Sequence, residues 1–117
     1  MKLLRYVILH HVDIAEPHFD LMFETLPGSD LATWRSQIWP IEESTSVTRL
    51  RDHRRFFLEY EGVLSEQRGT VHRFAEGECD VDVGEADAIT IRIINGTTPT
   101  ALRISKISDN QWQADVE

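Results

Sequence analysis

At 117 residues the chain has the length of one ordinary domain, and its 41% hydrophobic content allows a single core with little left for a second. A formal net charge of −8 excludes a generic nucleic-acid coat, which depends on Lys and Arg neutralising phosphates, although a small local basic site remains compatible with it. One cysteine, Cys79, excludes an intramolecular disulfide. No apolar run approaches the ~20 residues of a membrane span or forms a secretory signal, so a soluble cytoplasmic protein is expected.

Period-two patterning dominates from the start. Residues 5–11, rich in Tyr, Val, Ile and Leu, predict a strand. Residues 18–24 alternate, with Phe19, Leu21 and Phe23 on one face and His18, Asp20, Met22 and Glu24 on the other. Pro27-Gly28-Ser29-Asp30 marks a turn, residues 33–39 a third strand that Pro40 ends, and residues 47–51 a fourth. Residues 52–60 suit one or two helical turns with Asp52 as N-cap, and residues 69–74 another strand.

Residues 76–87, with two glycines and six acidic side chains, look like a solvated loop. Their resemblance to a calcium loop fails, because glycine falls at the fifth position and Ile91 at the twelfth. Residues 88–94 alternate Ile89, Ile91 and Ile93 against Thr90 and Arg92, and Asn95-Gly96 is a hairpin-type turn signal. Residues 102–107 and 111–116 form a final pair joined through Asp109-Asn110. The expected fold is therefore mainly β: a small closed or partly open barrel of about eight short strands with one or two helical turns. Residues 1–117 are read as one domain, and no glycine-rich phosphate loop is present.

Chemistry concentrates near the N-terminus. His18 and Asp20 share a strand face and sit ~7 Å apart along it, so both can reach one divalent ion. A third ligand from the preceding strand end, His11 or His10, would leave coordination positions open for substrate and water. Arg51, Arg54 and Arg55 surround His53 as a small basic island that suits a phosphate-binding role. Cys79 is expected to be a partly buried or loop thiol, His72 a structural strand residue, and Trp34, Trp39 and Trp112 core residues.

The runs Arg5-Tyr6-Val7-Ile8-Leu9-His10-His11 and His18-Phe19-Asp20-Leu21-Met22-Phe23-Glu24 resemble the opening of the phosphoesterase domain of bacterial DNA ligase D. In that family a strand ending in His is followed by His-Tyr-Asp-Phe-Arg-Leu-Glu. The similarity continues through Trp34, Asp52-His53, Glu61-Gly62-Val63 and Gly69-Thr70-Val71 to residues 101–107 and Trp112, and so spans nearly the whole chain through short motifs in order. The resemblance implies manganese bound by His11, His18 and Asp20, with His10 as the alternative to His11, and His53 on the phosphate. It implies trimming of DNA 3′ ends, including RNA-tipped ones, to a 3′-hydroxyl during end joining and repair.

The chain departs from the family pattern at three places. Six residues rather than five separate His11 from His18, Met22 stands where the family has a phosphate-binding Arg, and Phe57 stands where it has Tyr. The alternative expectation is therefore a weakly active or inactive metal- or phosphate-binding module that holds nucleic-acid ends or a DNA-repair partner.

Overall fold

The computed structural model describes residues 3–85, 87–95 and 101–117. Strands β1 (Leu4–Val12), β2 (His18–Glu24), β3 (Leu31–Ser36) and β4 (Thr45–His53) run as an antiparallel meander. A 3-10 turn (Arg55–Leu58) and the two-residue β5 (Gly62–Val63) lead into the long β6 (Thr70–Glu85). Three further strands follow, β7 (Ala88–Asn95), β8 (Ala101–Ser108) and β9 (Gln111–Val116). β9 pairs with β4 and β6 pairs with β1, so eight strands close into a ring, with β5 added along β6. The mainly β, barrel-like architecture expected from the periodicity is what the chain adopts. No helix among the described residues is long and apolar enough to cross a membrane.

The ring fills with alternate residues of its strands. Tyr6 and Ile8, Leu21 and Phe23, Trp34, Ile91 and Ile104 are all buried in one cluster, together with Trp39 and Trp112. Each fully buried large side chain contributes roughly 1.5–3 kcal/mol.

The opposite face of β1 and β2 is also covered, and this decides where the site lies. Val7, Leu9 and Met22 form a second, smaller cluster with Leu31, Leu58 and Val71, against which Phe57, Tyr60 and Leu64 pack. The segment from the 3-10 turn to β5 thus folds over the outside of the ring. β2 is buried on both faces, which is why His18, Asp20 and Glu24 are buried although they turn away from the main core.

Three expectations are corrected. Residues 76–85 are not a loop but the second half of β6. Ala75, Gly77, Cys79 and Val81 alternate with Glu76, Glu78, Asp80 and Asp82, a period-two pattern that acidic composition and small inner residues conceal. Cys79 is accordingly not a loop thiol but a fully buried one inside the ring. Asp52, expected as a helix N-cap, lies on β4 in an ion pair with Arg49; Arg54 precedes the 3-10 turn, and no side chain among the described residues caps it. The turn expected at Asn95-Gly96 runs into residues outside those described.

Candidate metal centre

The register of the first hairpin assembles the site. His11 lies directly opposite His18, and the two rings meet edge to face with centroids 4.9 Å apart. Asp20, two residues along β2, shares the face of His18. One ligand atom from each of His11, His18 and Asp20 falls within 4.8 Å of the others, so this group could hold a metal ion. His10 does not join it. Its side chain turns the other way and stacks on Phe19 at 4.4 Å, with Phe74 against the edge of both rings.

In the neutral imidazoles the tautomer is set by backbone carbonyls, which can only accept hydrogen bonds. His18 donates from Nδ1 to the carbonyl of Glu16 at 2.9 Å, which leaves Nε2 with a lone pair. His11 donates from Nε2 to the carbonyl of Arg68 at 2.6 Å, which leaves Nδ1 with one. Both lone pairs face Asp20: His18 Nε2 lies 3.2 Å from Oδ1 and His11 Nδ1 lies 3.7 Å from Oδ2. His18 and Asp20 are only 3% and 4% exposed, and His18 Nε2 and Asp20 Oδ1 have no hydrogen-bond partner among the described residues.

Three acceptors gathered in a buried space repel one another unless positive charge lies between them. Imidazoles that donate their remote N–H to backbone carbonyls are oriented as metal ligands are. Two imidazoles and one carboxylate also match the donor set of an open transition-metal site. The residues present therefore fit a divalent cation.

Gly69 makes this orientation possible. Its φ of +90° is costly for other residues, and a Cβ there would meet the Val12 carbonyl oxygen at 2.4 Å and His11 Nε2 at 3.2 Å. The tight turn brings the Arg68 carbonyl onto His11.

His11 and Asp20 open onto a cleft of about 730 Å³. Met22 and Val71 contribute to its lining, as do Phe56, Phe57 and Tyr60 from the overlying segment. His53 lines it too, donating from Nδ1 to the Arg51 carbonyl at 2.9 Å and packing edge-on against Phe57. Its Nε2 is the nitrogen left for exchange with a ligand.

The basic island divides. Arg51 and Arg54 line the cleft, whereas Arg55 bonds to the buried carboxylate of Glu24 and to the Ser29 carbonyl at 2.9 Å. His72 is exposed on β6, opposite His10 and outside the His/Asp group. Burial, followed by the negative charges of Glu24 and Asp80, pushes the Cys79 thiol up to about 12, so it offers no thiolate at neutral pH.

Three contributors were not legible in the sequence. The carbonyls of Glu16 and Arg68 carry no side-chain signal. Arg35, also in the cleft wall, is brought beside Asp20 only by the β2–β3 register. The turn signal Pro27-Gly28-Ser29-Asp30, which joins the two strands as a hairpin, was the available clue. No protein-family model matches the chain, and no curated protein matches it.

Proposed function

We propose that the protein is a metal-dependent phosphoesterase-like protein of the cytoplasm. In this reading it acts on 3′ ends of DNA, including RNA-tipped ends, and leaves a 3′-hydroxyl for repair. The observation that carries the reading is the buried meeting of two imidazole lone pairs and a carboxylate at a cleft that also contains His53. The order of motifs shared with the ligase D phosphoesterase family supports the substrate and the choice of manganese.

His11, His18 and Asp20 would hold the ion, which supplies Lewis-acid character and a water of lowered pKa when bound. The remaining chemistry belongs to the chain. The carbonyls of Glu16 and Arg68 fix which imidazole nitrogens face the ion. His53, its Nδ1 tied to Arg51, would use Nε2 to donate a proton to a leaving oxygen or to stabilise charge on the phosphate. Arg51 and Arg54 would add positive charge along the strand end.

A second reading, a binding module without hydrolysis, is favoured by Met22, which is 1% exposed in the apolar cluster beneath the cleft and brings no charge to it. The deciding experiment incubates a 3′-phosphate primer with the protein and manganese. Release of phosphate, abolished by His53→Ala and by His18→Ala, is the expected result. Binding of the end without turnover would favour the module. Neither binding nor turnover would overturn both readings.

A further inference from the structure

We propose that Arg35 is the residue that grips the phosphate beside the metal group, a binding role supplied from β3 and distinct from the arginines around His53. That the anion is a terminal phosphate monoester rests on the functional reading above; that it is an anion rests on the geometry.

Arg35 is the antiparallel partner of Asp20. Cross-strand partners project from the same face with Cβ atoms about 5 Å apart, so the guanidinium rises from the edge of the His/Asp group. It is exposed, and it lines both the main cleft and a shallower neighbouring pocket formed with Arg49, Leu50, Arg51, Asp52, His53 and Asn110. It therefore sits where the metal group and the His53 region meet.

The second observation is electrostatic. The chain has 20 acidic residues against 12 Lys and Arg, so a carboxylate partner is easily found. Arg5, Arg49, Arg55, Arg73 and Arg92 each pair with one. Arg35, Arg51, Arg54 and Arg68 make no ion pair among the described residues, and all four line the same cleft, Arg68 bonding only to Ser65. Asp20, the nearest carboxylate to Arg35 along the register, is directed to the two imidazoles instead. Four guanidinium groups left without counter-ions among the described residues around one concavity raise its positive potential, and a bound cation would raise it further. A phosphate dianion answers that charge, and a guanidinium can grip two of its oxygens at once.

The test measures binding of a labelled oligonucleotide ending in a 3′-methylenephosphonate, which keeps the dianion and resists hydrolysis, against the same oligonucleotide with a 3′-hydroxyl. Manganese is present throughout. Wild type should prefer the phosphonate end, and Arg35→Ala should lose about tenfold or more of that affinity while binding the hydroxyl end nearly as before. Arg35→Lys should recover part of the preference. Arg103→Ala, an exposed charge change on β8, should leave it intact. The manganese-dependent rise in melting temperature should persist in Arg35→Ala, which separates loss of the phosphate grip from loss of the metal group.

Undiminished preference in Arg35→Ala, or no preference in wild type, would overturn the assignment. A wild type that binds the phosphonate end through Arg35 but never hydrolyses a 3′-phosphate would leave the assignment standing and remove the enzyme reading alone.

Discussion

Asp20 and Glu24 are both carboxylates, four residues apart on one strand, on one face and equally buried, yet the chain treats them differently. Glu24 is answered completely. Arg55 pairs with it, the Arg5 amide donates at 2.6 Å and the Gly28 amide at 3.2 Å. Asp20 is answered by two imidazoles whose facing nitrogens, in the neutral rings, have no proton to give. Burial pushes the Glu24 carboxyl up, but the hydrogen bond from Arg55 and those from the two amides outweigh it, and its pKa lies below the ordinary 4.5. The difference teaches how to read a buried acid: one with fixed donors belongs to the fold, and one facing lone pairs belongs to a cation.

Removing Arg55 should have the largest effect on the structural end of the strand. Arg55→Ala strands the Glu24 charge and should cost about 2–3 kcal/mol, the lower side for a buried pair because the guanidinium keeps some water. Urea denaturation with and without manganese should give the same loss in both conditions. A loss confined to the metal-bound protein would break the comparison.

Asp20→Asn should behave in the opposite way. Saturation of wild type at a hundredfold excess over Kd should add about 2.7 kcal/mol, read as a rise in melting temperature, and the variant should lose that response. Without metal its stability should stay within about 1 kcal/mol of wild type, or rise, since an unpaired buried charge has been removed.

Gly69→Ala sharpens the same contrast through the backbone. The strained φ and the contact with the Val12 carbonyl should cost about 1–3 kcal/mol, and displacing the Arg68 carbonyl from His11 should weaken metal binding about 10- to 100-fold. Calorimetric titration of the variant checks both, since its thermal midpoint reports the first effect and its isotherm the second.

The smallest effect is with pH. Glu24 titrates lower in the folded protein than in the unfolded chain, so its contribution is fully present above about 4.5 and is lost as the pH falls through the lower folded value. Denaturation curves from about pH 6 down to about pH 3 should show a slope for this group that Glu24→Gln flattens. An unchanged slope in the variant would place the acid sensitivity elsewhere.

How much of this was legible depends on what each residue needs. The alternation of residues 18–24 set both faces of β2, because period two is a property of a single strand. The choice between His10 and His11 was not legible, since Val7, Ile8 and Leu9 are apolar on both faces and offer no alternation to extend. It was decided by pairing with β2 and by the Arg68 carbonyl, which arrives from 57 residues away. Arg55 read as part of a basic island until Glu24 took it, and Arg35 drew no reading until register set it beside Asp20. The second half of β6 was hidden because acidic composition imitates a loop, although its alternation was present. Alternation within β2 was visible, whereas the long-range placement of His11, Arg35 and Arg55 was not.

The most direct test observes the imidazole nitrogens themselves by long-range ¹⁵N–¹H correlation during titration with zinc, a diamagnetic probe. His11 should begin protonated at Nε2 and His18 at Nδ1, and saturation should shift His11 Nδ1 and His18 Nε2 together at one ion per chain. Opposite tautomers in the free protein, or nitrogen signals that ignore the ion, would contradict a cation between His11, His18 and Asp20.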